Sequence, residues 1–322
     1  MALGQADPMA DIRGLLADLP AIDRAARLKT AQLIAAHGEG AEFGRLRQLA
    51  LWLADWRGAP PNITRPHLAI FAGRQEGIDA IGFRTPSALV DRQIDDLQSG
   101  THPAARLCAR HGFGLAVFDL ARASPLPDPR LAEAMDPRAF AATIAFGMEA
   151  LAPQPDLLLL TQIADGEEIA HAALALRLYG GEARFWLGAE RAPKPTEAAI
   201  DAVEAIAARH AATNDPLELL RRVGGRDLAA LCGAIIAARK LRAPCIIEGI
   251  GAVLAAGVLK AIVPDSLDHC LFARGDSQDY VDAIFDRIGV RPVIDFGLVR
   301  TRGCAAGFLA LAAQSVCAMF GD

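Results

Sequence analysis

Charged and amide side chains follow several short apolar segments, at the points where an α/β protein carries its chemistry. Arg74 follows HLAIFAG and Arg302 follows PVIDFGL, whereas Gln162 and Glu167 lie at and just beyond the end of DLLLLTQI. Guanidinium groups bind carboxylates and phosphates, and carboxylates exchange protons or bind cations. These residue types indicate a polar small-molecule site, in which Arg74 and Arg302 form either an anion site or ordinary surface ion pairs.

Other groups that could bind ligands have no decisive spacing. Glu167 and Glu168 begin a predicted helix, where carboxylates favour the helix macrodipole, although such a pair could also hold a cation. The sequence contains six cysteines without a CxxC pair, so we expect buried free thiols, no metal centre and no cofactor. We expect the scattered histidines to be surface or structurally satisfied residues: His102, His111, His171, His210 and His269.

Composition excludes several classes of protein. The chain has 322 residues, 52% of them hydrophobic and 22% charged, which is enough to bury a large α/β core. Its formal net charge of −5 disfavours nucleic-acid binding, which requires clustered lysine and arginine. Its apolar stretches are interrupted by charges, which disfavours a membrane span. The N-terminal residues do not resemble a signal peptide, so we expect a cytoplasmic location.

Strands and helices are predicted to alternate along the chain. Short apolar runs predict six buried strands, at 67–73, 115–121, 156–163, 243–250, 269–275 and 292–298. Apolar residues spaced three and four apart predict helices at 9–19, 20–36, 41–56, 86–98, 103–110, 137–150, 167–178, 195–211, 225–240, 251–261, 278–288 and 304–319, and residues 184–187 are predicted to be extended. This alternation predicts a parallel sheet covered by helices, with ligands at the carboxyl ends of its strands.

Five segments, in order, resemble one known family. They are GRLRQLALWLADWRG (44–58), HLAIFAGRQEGIDA (67–80), HPAARLCARHGFGLAVFDLA (102–121), GGRDLAALCGAIIAARKLRAPCIIEGIGAVLAA (224–256) and GVRPVIDFGLVRTRGCAAGFLAL (289–311). Their order and spacing are similar to those of the nicotinate-nucleotide:dimethylbenzimidazole phosphoribosyltransferases of the cobalamin lower-ligand pathway.

The resemblance implies a fold, a reaction and an assembly. It implies a Rossmann-like α/β domain, at residues 59–303, and a small helical domain built from residues 1–58 and about 304–322. The family transfers phosphoribose from nicotinate mononucleotide to dimethylbenzimidazole, which gives α-ribazole phosphate. It therefore implies an azole base and a mononucleotide as ligands, and a homodimer, or a heteromer with a homologue, as the assembly.

The chain departs from the family at the loops expected to contact substrate. The family's general base is the glutamate of RLGEGTGA, and Arg302 stands at that position. In the segment matching GEMGIGNTT, Gly166 keeps its place, but Glu167 and Glu168 replace asparagine and threonine, and their charge would repel a phosphate. In the segment matching GRGTG, only Gly188 is retained.

Several other residues match the family's substrate pocket or lie close to its motifs. Gln93 matches a glutamine of the base pocket, and Asp79 lies near the position of a pocket serine. Glu248 replaces an aspartate, and Gln162 and Gly303 lie in the loops that correspond to substrate-binding segments. The resemblance implies that these residues, with Gly166, Glu167 and Gly188, bind substrate.

Two hypotheses follow for the function. The chain is either a divergent phosphoribosyltransferase with an altered donor or base, or a non-catalytic paralogue. Such a paralogue would bind a small ligand or pair with an active homologue. Arg302 cannot serve as the general base, because a guanidinium stays protonated at neutral pH and cannot accept a proton. A general base contributes roughly 10²–10⁴-fold to the rate of a reaction.

We predict negligible phosphoribosyl transfer from nicotinate mononucleotide to dimethylbenzimidazole. The missing proton acceptor at Arg302 is the reason, and the substitution Arg302→Glu should not restore full activity because the phosphate loops are also altered. A turnover assay on the purified protein tests this. Rates of about 1–10³ s⁻¹, typical of metabolic enzymes, would contradict it.

Overall fold

A computed structural model of the chain describes residues 7–38, 41–75, 81, 83, 85–188, 194–275, 278–298 and 301–320. These residues form six parallel strands, with helices on both faces of the sheet. The strands are β1 Pro66–Arg74, β2 Gly114–Asp119, β3 Leu157–Asp165, β4 Cys245–Glu248, β5 Cys270–Arg274 and β6 Ile294–Asp295. The order across the sheet is β2-β1-β3-β4-β5-β6, so β1 and β3 lie near its centre.

Fourteen helices connect and cover these strands within the described part of the chain. They are α1 Pro8–Ala17, α2 Arg24–Ala36, α3 Gly44–Arg57, α4 Ser87–Gln98, α5 Pro103–His111, α6 Pro137–Met148, α7 Glu167–Tyr179, α8 Ala183–Trp186, α9 Glu197–Arg209, α10 Pro216–Val223, α11 Arg226–Lys240, α12 Ile250–Ile262, α13 Asp279–Ile288 and α14 Cys304–Phe320. None of the described helices is long and apolar enough to cross a membrane.

The central strands are buried on both faces, which explains their nearly continuous apolar sequences. Leu158 and Leu160 of β3 belong to the core on one face, together with α1, α6, α7 and α9 to α13. Leu157 and Leu159 belong to the core on the other face, together with α2 to α5 and α14. Successive strand residues point to opposite faces, so a strand between two helical layers must be apolar at almost every position.

The predicted α/β fold and its six-stranded parallel sheet are confirmed. The six cysteines are free and buried, as expected. One local prediction is wrong, because residues 184–187 are not extended and Ala183–Trp186 forms the short helix α8. Helix α10 was not predicted from the sequence. The division into a small helical domain and an α/β domain stays a prediction, and α14 contacts α2 and α3 as well as the sheet.

Two glycines allow α6 and α11 to cross at very short distance. A Cβ atom on Gly147 would collide with the carbonyl oxygen of Ala230, and one on Gly233 would collide with the carbonyl oxygen of Ile144. The two helix backbones are therefore in direct contact, and neither glycine position has room for a side chain. Because α11 packs against β1 and β3, this contact also sets the distance between α6 and these strands.

We predict that Gly233→Ala lowers the free energy of unfolding by about 1–3 kcal/mol, because a backbone carbonyl must move. Gly14 provides the matched control, because it lies in α1 and no atom lies within 4 Å of the position that an added methyl group would take. Gly14→Ala should stabilise the chain by about 0.5–1 kcal/mol through helix propensity. Urea denaturation measures both changes, and equal stabilities for the two variants would contradict the prediction.

Candidate functional site

A cavity of about 180 Å³ lies at the carboxyl ends of β3 and β4. Its walls come from α4, α7, α8, α12 and α13, together with Arg302 just before α14. The apolar part of the lining includes Leu89, Ile163, Trp186, Leu187, Ile250, Leu254 and Ile284. The polar part includes Thr85, Gln93, Glu167, Glu168, His171, Gln278, Tyr280 and Arg302. The cavity thus combines apolar and aromatic walls with converging polar groups, which is typical of a small-molecule site.

The volume of the cavity limits what it can hold. An apolar cavity of about 150 Å³ accommodates benzene, whereas pockets for drug-sized ligands occupy about 300–1,000 Å³. A space of about 180 Å³ therefore suits one small ring system and is too small for a whole mononucleotide. Any sugar or phosphate attached to such a ring would have to lie outside the cavity.

A tight turn at Gly166 places the first turn of α7 at the cavity. Gly166 has a left-handed backbone (φ 71°), and a Cβ there would lie 2.7 Å from the carbonyl oxygen of Gln75. Glycine adopts this conformation without steric cost, so β3 passes directly into α7. Glu167 and His171 are four residues apart and share one face of α7, and both line the cavity.

Glu167, His171 and Asp227 form a buried cluster, which we call the acid–histidine cluster. The Nε2 atom of His171 lies 3.8 Å from Oε2 of Glu167 and 3.7 Å from Oδ2 of Asp227. These distances exceed hydrogen-bond length, and none of the three atoms has a hydrogen-bond partner among the described residues. Asp227 reaches the cluster from the start of α11, where its carboxylate lies against Gly73.

Burial shapes the electrostatics of this cluster. Removal from water disfavours the carboxylate of Glu167 and raises its pKa to about 8. His171 and Arg302 favour that carboxylate, whereas Asp227 and Glu168 disfavour it. Burial alone would lower the pKa of His171, but the carboxylates of Glu167 and Asp227 outweigh this effect and raise it. The cluster could therefore retain a proton near neutral pH, and its three atoms could also ligate a metal ion.

Arg302 lies at another part of the cavity wall, beside the loop that follows β4. A Cβ on Gly249 would lie 3.2 Å from both Nη1 of Arg302 and Oε1 of Gln162. The absence of a side chain at Gly249 therefore makes room for both polar groups. Gln162 is fully buried, and its Oε1 accepts a hydrogen bond from the backbone N–H of Ala252 (3.2 Å). The guanidinium of Arg302 thus occupies the polar floor of the cavity.

Glu248 does not line the cavity, but it binds the backbone beside it. Its two carboxylate oxygens accept hydrogen bonds from the backbone N–H groups of Gly303 (2.9 Å) and Ala306 (2.7 Å). A carboxylate at a helix N-terminus interacts favourably with the helix dipole. Glu248 therefore attaches the start of α14 to the end of β4, and Gly303 fits closely against Leu68.

The structure brings together some of the residues predicted to bind substrate and separates others. Gln93 and Glu167 line the cavity with Arg302, and Gln162 lies directly beside it. The turn before α7 contains Gly166, and the start of α14 is held by the contact of Glu248 with Gly303. Gly188 lies two residues after the end of α8. The two residues before it, Trp186 and Leu187, line the cavity. Asp79 lies outside the described residues.

Arg74 does not join Arg302 at the cavity, so the possible shared anion site is not formed by these two side chains. The Nε atom of Arg74 lies 3.7 Å from Oδ2 of Asp165, and Arg122 lies 3.9 Å from the same oxygen. Asp165 ends β3 and is fully buried. Arg74 is therefore held by an ion pair at the end of its own strand.

The expectation that His171 is a surface or structurally satisfied residue is wrong, because it is buried and its Nε2 atom has no hydrogen-bond partner among the described residues. Asp227 is a further residue of the cluster that the sequence did not predict. The pair Glu167 and His171, four residues apart on a helix that follows a strand, was a signal that could have identified His171. No local pattern links Asp227 to this pair, because α11 brings it from a distant part of the sequence.

Comparison with known proteins identifies relatives over nearly the whole chain. A family model described as phosphoribosyltransferase matches residues 19–322. The chain is 39% identical over 311 residues to the nicotinate-nucleotide–dimethylbenzimidazole phosphoribosyltransferase of Rhizobium etli (strain CIAT 652), covering 94% of this chain and 91% of that protein. It is 38% identical over 322 residues to the protein of the same name from Sinorhizobium fredii (strain NBRC 101917 / NGR234), covering 98% and 94%.

The fold is similar to a solved structure of a protein with the same name. The crystal structure of nicotinate-nucleotide–dimethylbenzimidazole phosphoribosyltransferase from Thermus thermophilus matches with a TM-score of 0.76. The match covers 97% of this chain and 95% of that chain at 19% sequence identity. At this identity the similarity supports the fold alone.

We predict that the contribution of Glu167 to the free energy of unfolding falls as pH rises from 4.5, the ordinary pKa of glutamate, to about 8, its pKa in the folded chain. In this range Glu167 is more protonated in the folded chain than in the unfolded chain, so its contribution to stability decreases as pH rises. The raised pKa of His171 acts in the same direction.

Urea denaturation at a series of pH values, in buffer containing a chelator, measures this effect. Glu167→Gln should flatten the dependence of stability on pH. Glu204→Gln, on the exposed side of α9, is the matched control and should keep the wild-type slope. A slope that Glu167→Gln leaves unchanged would show that Glu167 does not titrate in this way.

Proposed function

We propose that this chain, which belongs to the nicotinate-nucleotide–dimethylbenzimidazole phosphoribosyltransferase family, binds a planar azole base in the cavity. We further propose that it transfers phosphoribose to this base far more slowly than the enzymes to which it is similar. One observation carries the proposal: the guanidinium of Arg302 forms part of the wall of a cavity that otherwise suits an aromatic base.

The cavity walls support an aromatic base as ligand. Trp186 and Tyr280 provide aromatic surface, and leucine and isoleucine side chains complete the apolar lining. Burial of apolar ring surface contributes about 25 cal/mol per Å², so a flat heterocycle gains affinity from these walls. Gln93 adds an amide, which can donate to or accept from a ring nitrogen. The relatives are named for dimethylbenzimidazole, and an azole of this kind has the required size and polarity.

Arg302 supports the proposed loss of transfer for two reasons. Phosphoribosyl transfer to an azole requires one ring nitrogen to attack the ribose carbon and the other ring nitrogen to lose its proton. A guanidinium cannot accept that proton at neutral pH. It can instead donate a hydrogen bond to the ring nitrogen that carries the free electron pair, which would occupy the pair needed for attack. Arg302 thus favours binding of a neutral azole over its reaction.

The charges around the strand ends also disfavour the phosphoribosyl donor. Glu168 lines the cavity, and Asp165 lies close by at the end of β3. Carboxylates repel a phosphate, most strongly where water is excluded. Arg74 and Arg122, which could attract it, face Asp165. The family resemblance predicts a mononucleotide as the second ligand. The charges described here predict that it binds weakly.

A second candidate is a phosphoribosyltransferase whose missing proton acceptor is supplied elsewhere. The identity of 38–39% over nearly the whole chain favours this alternative. The acceptor could come from a second chain, because a homodimer or a heteromer with a homologue is expected from the family resemblance. We keep this assembly, and a cytoplasmic location, as proposals.

We predict that Ala172→Phe abolishes base binding. Ala172 is buried in α7 and lines the cavity, so a phenyl ring there would occupy the space of the ligand. Isothermal titration with dimethylbenzimidazole should show saturable binding to the wild type and a loss of at least about tenfold in the variant, a difference of about 1.4 kcal/mol. Ala205→Phe on the exposed side of α9 is the matched control and should bind normally.

Thermal denaturation confirms that both variants are folded before binding is compared. Equal affinity of Ala172→Phe and wild type would place the base outside the cavity and contradict the proposal. Wild-type binding accompanied by rapid release of nicotinate from nicotinate mononucleotide would instead support the second candidate.

A further inference from the structure

We propose that Glu167, His171 and Asp227 form a binding site for a divalent transition-metal ion at the side of the cavity. This inference goes beyond base binding and does not depend on it. The site is not visible in the sequence, because two of its ligands come from α7 and the third comes from the start of α11.

The distances within the acid–histidine cluster fit such an ion. Zn²⁺ binds histidine nitrogen and carboxylate oxygen at about 2.0–2.2 Å, usually in tetrahedral geometry. Two ligands of a tetrahedral ion at these lengths are about 3.3–3.6 Å apart. The observed separations are 3.8 Å for Glu167 and His171 and 3.7 Å for His171 and Asp227. All three candidate ligand atoms lie within 4.8 Å of one another, so small side-chain rotations would bring them to the distances that an ion requires.

A second observation is that all three candidate ligand atoms are buried without a hydrogen-bond partner in the described part of the chain. Oε2 of Glu167, Nε2 of His171 and Oδ2 of Asp227 have no hydrogen-bond partner among the described residues. The three residues are 9%, 5% and 2% exposed. A buried polar atom that lacks a hydrogen bond destabilises the fold, and a charged atom without one destabilises it more. One metal ion would satisfy all three atoms together.

The surrounding charge favours a cation. Glu167 and Asp227 supply two carboxylates, and a neutral His171 would add no charge. Glu168 and Arg302 also act on Glu167, and their opposite formal charges cancel. An ion that displaces the protons held by this cluster would therefore meet two carboxylates, whose charge matches that of a divalent ion. Burial strengthens this attraction, because water screens it less than at the surface.

The surroundings also fix the ligands in place. A Cβ on Gly251 would lie 2.5 Å from Nε2 of Gln162 and 3.0 Å from Cε1 of His171, so the imidazole is closely packed. A Cβ on Gly73 would lie 3.2 Å from Cβ of Asp227, so the aspartate is also confined. Packing that holds ligands in position is a property of metal sites, whose outer contacts orient the ligands.

The ligand set indicates the kind of metal. An imidazole with two carboxylates suits Zn²⁺, Mn²⁺ or Co²⁺, whereas Mg²⁺ and Ca²⁺ prefer oxygen ligands alone. Three protein ligands leave at least one coordination position open. Because Glu167 and His171 line the cavity, that position faces the space proposed for the base. Water or a ring nitrogen could complete the coordination.

Isothermal titration of the chelator-treated full chain with Zn²⁺ tests the proposal without any base present. We expect one ion per chain and little binding of Mg²⁺. Asp227→Asn and His171→Gln should each weaken Zn²⁺ binding by at least about tenfold, since even outer contacts of metal sites contribute about 10–100-fold. Asp201→Asn on the exposed side of α9 is the matched control and should bind Zn²⁺ like the wild type.

The absence of saturable Zn²⁺ binding to the wild type would overturn the proposal, as would wild-type affinity in both variants. A variant that fails to fold would lose the site for an unrelated reason, so anomalous diffraction from wild-type crystals soaked in Zn²⁺ provides a second measurement. An anomalous peak between Glu167, His171 and Asp227 supports the site. Peaks confined to surface residues would overturn it. Base binding, measured separately with chelator present, can succeed or fail independently of these results.

Discussion

The position of Arg302 at the cavity floor depends on how Glu248 holds the first turn of α14. The carboxylate of Glu248 is almost completely buried, and its burial would cost free energy if it had no hydrogen-bond partners. The backbone N–H groups of Gly303, just before α14, and of Ala306, within it, donate hydrogen bonds to this carboxylate, and the helix dipole adds to the attraction. Gly303 allows the close approach with its left-handed backbone (φ 87°). Because Arg302 directly precedes this fixed turn, its side chain emerges beside Gly249 and reaches the cavity. The same connection brings the last helix over the ends of β3, β4 and β5.

The fold could be predicted from the sequence because its strands are buried on both faces. In β3, Leu157 to Leu160 serve both cores, so the strand appears as a continuous apolar run. Elements that depend on local capping were harder to predict. Helix α10 begins at Pro216, and the side chain of the preceding residue, Asp215, accepts a hydrogen bond from the N–H of Leu217 (2.9 Å). This capping signal is short, and the helix has only eight residues, so apolar periodicity was insufficient to identify it.

The candidate site could be predicted only in part. The family resemblance identified Gln93 and Arg302, and the structure places both in the cavity wall. It also identified Glu248, whose contacts are with the backbone of α14. The acid–histidine cluster could not be predicted, because its geometry depends on the sharp turn at Gly166 and on the close approach of α11 to β1 at Gly73. These are tertiary contacts, and neither spacing nor composition encodes them directly.

The cavity therefore has two chemically different polar regions, a guanidinium at its floor and a buried cluster of two carboxylates and an imidazole at its side. The scaffold constrains residues within the strands more than residues at the strand ends. Strand residues such as Leu158 contact neighbours on every side, so a change of size there costs several kcal/mol in stability. Side chains at the strand ends contact the cavity on one side and can change charge at less cost to the fold. The proposed alteration of the substrate loops on a family scaffold is consistent with this difference. The apolar walls can preserve the class of ligand, while the charges at the strand ends determine whether that ligand is bound, activated or left unreacted.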